Sequence, residues 1–131
     1  MPTNAIQLLL IEDSAADARY IELMVAKLTN PKAQVTRAER LDAALTAHKS
    51  DAFNVVLLDL SLPDSHWIET LSTMKKAWPL VPVVVLTGFD DSRLAGRSLQ
   101  HGASAFLVKG KLDAESLQQA IADALADAAG A

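Results

Sequence analysis

The chain alternates short apolar runs with stretches in which apolar residues recur every three or four positions, and it does so five times. Ile6 to Ile11 is apolar apart from Gln7, the pattern of a strand covered on both faces. Ser14 follows as an N-cap candidate, with Asp17 three residues on in a capping-box-like position. Ile21, Val25 and Leu28 then stand at helical spacing, which predicts a helix ending near Asn30-Pro31. Gln34-Val35-Thr36 reads as a short, weakly apolar strand near an edge, and Leu41 to His48 as a helix with Leu41, Ala44 and Leu45 facing inward. Phe53 to Leu58 is the third strand, and Leu62-Pro63-Asp64 breaks the chain before a helix marked by Ile68, Leu71 and Met74. Val83 to Leu86, the most β-branched segment, predicts a central parallel strand, and a helix from about Asp90 to His101 stops at Gly102. Ala105 to Val108 is the fifth strand. A last helix from about Asp113 presents Leu117, Ile121 and Leu125, and Ala128-Ala129-Gly130-Ala131 is expected to fray. Strand and helix in strict alternation define an α/β fold. With no repeat, linker or low-complexity segment, residues 1–131 read as one domain.

Composition narrows the classes of function. A chain of 131 residues can bury a core without covalent staples. The absence of Cys excludes disulfides and thiolate metal sites and suits a reducing cytoplasm. Met1-Pro2-Thr3-Asn4 lacks the charged, apolar and small-residue series of a signal peptide, and no apolar run approaches the roughly 20 residues of a membrane span. A formal charge of −4 argues against a general nucleic-acid surface, so the expected partners are proteins.

Charge falls directly after three of the apolar runs: Glu12-Asp13 after the first, Asp59 after the third and Lys109 after the fifth. If the runs are parallel strands of one open sheet, their carboxyl ends share the edge at which such sheets bind ligands. Carboxylates gathered there repel one another unless a hard cation offsets them, and Mg²⁺ is the oxygen-preferring ion that takes one or two carboxylates plus water and phosphate. The pattern therefore suits Mg²⁺ and a phosphoryl group. Each residue also has a plainer use: a carboxylate can stabilise a helix N-terminus, a threonine can close its own turn, and a lysine after a strand can be solvated surface.

Glu12-Asp13, Asp59 in Asp-Leu-Ser-Leu-Pro, Thr87-Gly88 and the run from Gly102 to Lys109 occur in an order, and at strand ends, that resembles the receiver domains of two-component response regulators. The resemblance covers nearly the whole chain. It implies a doubly wound, flavodoxin-like (βα)5 fold with a five-stranded parallel sheet in the order 2-1-3-4-5. It implies that Asp59 accepts a phosphoryl group from a histidine kinase or phosphotransfer protein, and that the output is read by a protein partner. Mg²⁺ would be held by Asp13 directly, Glu12 through water, Asp59, and the backbone carbonyl of Ser61. Thr87 and Lys109 would contact the phosphoryl group, with Lys109 paired to Asp59 at rest, and Thr87 with Phe106 would form the switch. Ser61 and Phe89 lie near the site in the family and would tune the lifetime of the phosphorylated state.

Two positions depart from the family pattern. Gly110 follows Lys109 where Pro is usual, and Trp67 stands eight residues beyond Asp59 where Gly is common. His48, His66 and His101 show no metal-ligand spacing and read as surface residues. The last helix has no Lys or Arg after Lys111, which argues against a receiver that dimerises to drive a DNA-binding domain. A receiver cut from a hybrid kinase or an output-enzyme protein is the alternative within the class. A haloacid-dehalogenase-like phosphatase shares the residue types, but its nucleophile belongs to the first strand. A flavodoxin-like flavin module would need a turn after strand one less acidic than Glu12-Asp13-Ser14.

Overall fold

The computed structural model describes residues 5–29, 32–60 and 67–130; Ser61, the Leu62-Pro63-Asp64 break and His66 lie outside the described residues. Strands β1 (Ile6–Ile11), β2 (Ala33–Ala38), β3 (Val55–Asp59), β4 (Val83–Thr87) and β5 (Ala105–Val108) form one parallel sheet in the order β2-β1-β3-β4-β5. Helices α1 (Ala15–Val25), α2 (Leu41–Ala47), α3 (Trp67–Ala77), α4 (Ser92–Gln100) and α5 (Ala114–Gly130) connect and follow them.

Successive residues of a strand point to opposite faces, so an unbroken apolar run serves two cores. On one face Leu8, Leu10, Val55, Leu57, Val84 and Leu86 pack with residues of α1 and α5. On the other, Leu9, Ile11, Val56, Leu58, Val83 and Val85 pack with residues of α2, α3 and α4. Asp59 sits two residues beyond Leu57 in β3 and so continues the row that faces α1 and α5.

Four elements differ by several residues or in register from the sequence reading. α1 stops at Val25, with Ala26 as its C-cap, rather than near Asn30-Pro31; Leu28 is buried in the core from beyond the helix end, so its spacing continues the helical pattern without the helix. β2 has six residues rather than three, because all of them pair with β1 from Ile6↔Ala33 to Ile11↔Ala38; backbone pairing carries Gln34, Thr36 and Arg37 without an apolar pattern. β3 starts at Val55 and includes Asp59. Phe53 is instead stacked on Trp78 at a centroid distance of 6.0 Å, and Asn54 exchanges bonds with Gln7, accepting from its N–H at 2.7 Å. The alanine-rich tail does not fray before Gly130, since alanine is the strongest helix former. Gly102 stops α4 as expected: its φ of 102° lies in the left-handed region that a side chain disfavours.

Candidate functional site

The β1–β3 register ends at Ile11↔Leu58, so the next step along both chains brings Glu12 beside Asp59. Neighbouring strands are about 4.8 Å apart, close enough for the two carboxylates to interact directly. Both residues are sealed from solvent, at 0% and 1% exposure, whereas Asp13 is exposed. The Glu12 N–H donates to the carbonyl of Ala38 at 3.0 Å, which ties the end of β1 to β2.

Local capping completes the turn into α1. Ser14 Oγ accepts from the Asp17 N–H at 3.2 Å, as its sequence position predicts. The reciprocal bond of a capping box comes from Glu12 rather than Asp17: the Ser14 N–H donates to Glu12 Oε2 at 3.2 Å. The Asp17 carboxylate is thereby left for another partner.

That partner is Lys109, from the single 3-10 turn that follows β5. Its ammonium lies 2.5 Å from Glu12 Oε1, 2.9 Å from Asp17 Oδ2 and 3.4 Å from Asp59 Oδ2. The expected pairing with Asp59 is present, and two shorter contacts accompany it. Burial alone would lower the Lys109 pKa, but its bonds to Glu12 and Asp17 and the charge of Asp59 outweigh that and raise it. Glu12 is pushed up to about 7, chiefly by burial and then by its hydrogen bond with Asp59, with Lys109 acting against the rise.

Carboxylate oxygens of Glu12, Asp13 and Asp59 come within 4.8 Å of one another. An all-oxygen set with an exposed member on the solvent side fits Mg²⁺, which keeps several waters and binds few protein ligands. The buried Glu12 carboxylate points the same way. Its ionisation is opposed by burial and by Asp59, and a divalent cation would remove that penalty.

Thr87, the last residue of β4, is buried, and its hydroxyl oxygen accepts from the Phe89 N–H at 3.2 Å. This is the turn-closing role open to any such threonine, yet it uses only a lone pair and leaves the O–H to donate. Phe106 lies opposite Val85 in the β4–β5 register and packs against the core on the α2, α3 and α4 side. Phe89 is exposed. Of the histidines described, His48 meets Phe53 edge-on, and exposed His101 contacts the Arg97 carbonyl through Nδ1.

Sequence reasoning missed three residues. Arg37 of β2 donates from Nε to the Glu12 carbonyl at 3.1 Å and from Nη2 to the Asp13 carbonyl at 3.3 Å, so one guanidinium holds the backbone of the acidic pair. Tyr20 of α1 donates its hydroxyl to the Leu112 carbonyl at 3.2 Å, beyond the Lys109 turn. Asp17 holds Lys109 from 92 residues away. No local spacing announces any of them.

A doubly wound parallel sheet with buried carboxylates and a lysine at its carboxyl edge is the architecture of a signalling receiver. The family profile described as response regulator receiver domain matches residues 8–122, and the chain belongs to that family. It is 29% identical over 126 residues to the transcriptional regulatory protein ZraR of Escherichia coli (strain K12), covering 96% of this chain and 28% of ZraR. It is 31% identical over 103 residues to the cell cycle response regulator CtrA of Brucella ovis, covering 79% of this chain and 43% of CtrA. The crystal structure of a putative response regulator from Chloroflexus aurantiacus superposes with a TM-score of 0.80 at 20% identity, over 93% of this chain and 98% of that one. The chain therefore spans less than half the length of these two curated relatives. The haloacid-dehalogenase alternative finds no support, since Asp59 ends β3 and not β1.

Proposed function

We propose that this chain is a phosphoacceptor receiver domain. It takes a phosphoryl group from a phosphohistidine, on a histidine kinase or a phosphotransfer protein, onto Asp59 and signals by conformational change to a protein partner. The observation that carries this reading is the pairing of two sealed carboxylates, Glu12 and Asp59, under one ammonium, that of Lys109.

An Asp59 carboxylate oxygen forms the new P–O bond while the P–N bond to the donor imidazole breaks, and the imidazole leaves with the electron pair and is neutralised by a proton. Asp13 directly, Glu12 through water, Asp59 and the Ser61 carbonyl would hold Mg²⁺, which supplies charge neutralisation at the phosphoryl oxygens. Lys109 donates to a phosphoryl oxygen and offsets its charge, and Thr87 donates its free O–H to another. Positioning and electrostatics suffice for this transfer, and that is what the site offers. Hydrolysis of the acyl phosphate resets Asp59, so no separate substrate is turned over.

Residues 1–131 act as one receiver unit, in the cytoplasm, where such phosphodonors are made. No described helix is long and apolar enough to cross a membrane. The fraction of ZraR and CtrA that the chain spans favours a second reading beside the first, that this receiver is part of a longer hybrid kinase or output-enzyme protein. The acidic α5, which lacks Lys and Arg, speaks against direct nucleic-acid binding.

The test is labelling with acetyl phosphate, followed by intact mass. One phosphoryl group should be gained only with Mg²⁺ present, and none by Asp59→Asn. Undiminished labelling of Asp59→Asn, or labelling in excess chelator, rejects the assignment.

A further inference from the structure

The 3-10 turn that carries Lys109 is held at its far end, by the Lys111–Asp90 ion pair and by Leu112 buried against α5, but is open at Gly110. A Cβ built on Gly110 would meet nothing within 4 Å, so the turn is not packed from outside at that residue. A cavity of about 310 Å³ lies alongside, lined by Asp17, Tyr20, Ile21, Gly88, Lys109 and Gly110, and gives the lysine side chain room to leave the site. Helix α1 restrains the turn at two points, through Asp17 at the Lys109 ammonium and through the Tyr20 hydroxyl at the Leu112 carbonyl.

The three carboxylates around the ammonium are not equivalent. Glu12 and Asp59 belong to the acidic cluster that a cation would engage, whereas Asp17 stands outside it. An ammonium has three donors, and all three have a carboxylate within reach. When a cation draws Glu12 and Asp59, the bond to Asp17 is the one left intact, and the donors released are those that face the incoming group. We infer that Asp17 is a positioning residue: its carboxylate, half exposed at 49%, anchors Lys109 at the edge of the site and keeps it aimed at the phosphoryl group instead of the neighbouring cavity. The inference rests on the phosphoacceptor reading above and adds a residue from α1 to it.

The experiment is a double-mutant cycle of Asp17→Ala and Lys109→Ala, read by beryllofluoride binding at saturating Mg²⁺. Asp17→Ala alone should weaken binding about fivefold, with no further loss once Lys109 is already alanine. Asp17→Glu, which keeps the charge, should recover most of the affinity. Unchanged or tighter binding by Asp17→Ala, or an equal loss in the Lys109→Ala background, overturns the assignment. Melting temperatures of the same four proteins without metal or beryllofluoride give an independent reading. The two substitutions should be non-additive, and additivity there also overturns the pairing. A wild type that fails to bind beryllofluoride would reject the phosphoacceptor reading, leaving the melting cycle to decide on Asp17.

Discussion

Glu12 and Asp59 stand one step beyond the last β1–β3 register pair, side by side and sealed from solvent, on residues 47 apart in the sequence. Sheet register holds them together, so the repulsion between them has to be met within the site. Here Lys109 and a proton on Glu12 share that task.

A pH dependence follows for the metal-free protein. The folded pKa of Glu12, about 7, lies above its ordinary value of 4.5. Below 4.5 the group is protonated folded or unfolded; between the two values only the folded state keeps the proton. The stability that this provides is complete below about 4.5 and is lost as pH rises to about 7, with a slope of at most ~1.4 kcal/mol per pH unit. Lys109, whose pKa is raised, stays charged throughout. Urea unfolding of wild type and Glu12→Gln at pH 5, 6, 7 and 8 measures this. The substitution should flatten the decline, and identical pH profiles would exclude Glu12 as its source.

Asp13→Ala should weaken Mg²⁺ binding more than Glu12→Ala. Asp13 is exposed on the solvent side, where a partly hydrated ion can take a direct ligand, while Glu12 is already engaged by Lys109 and holds its proton up to about neutral pH. Calorimetric titration ranks the two, and a reversed order would exchange their roles.

Thr87→Ala should still be phosphorylated yet lose its coupling to the surface around α4 and β5. The Thr87 hydroxyl closes its own turn at rest, and a phosphoryl group of about −1.5 to −2 charge at Asp59 would draw its O–H, changing the packing beside Phe106. Amide spectra with and without beryllofluoride provide the comparison. If remote shifts in Thr87→Ala equal those of the wild type, the signal takes another route.

Gly102→Ala should destabilise the fold by about 1–2 kcal/mol through the left-handed backbone alone, because the added Cβ meets the Lys75 side chain only at ordinary contact distance, 3.5 Å. Denaturant unfolding measures the loss, and Mg²⁺ affinity should not change. A neutral substitution would show that the turn relaxes to negative φ at no cost.

Much of this protein is determined by its sequence alone, where local rules suffice. Unbroken apolar runs mark most of the strands and period-3.6 hydrophobicity the helices, Ser14 caps α1, and Gly102 ends α4. Charges that follow apolar runs mark the carboxyl edge of the sheet, so Glu12, Asp13, Asp59 and Lys109 could be placed together once the strands were taken as parallel, whereas Thr87 was marked only by the family resemblance. Tertiary structure decided what those residues do to one another. Glu12 and Asp13 are neighbours with similar side chains, yet one is buried against Asp59 and the other exposed, a distinction made by the direction of the chain as it leaves β1. Asp17 has the sequence signature of a capping residue, but Glu12 completes the cap and Asp17 holds Lys109. Arg37 lies on an edge strand with no pattern to distinguish it, and it supports both acidic carbonyls. Patterns of spacing encode which way a side chain faces, because that depends on a residue's immediate neighbours. Which charge meets it there depends on strand register and helix docking, and those are settled only when segments tens of residues apart pack together.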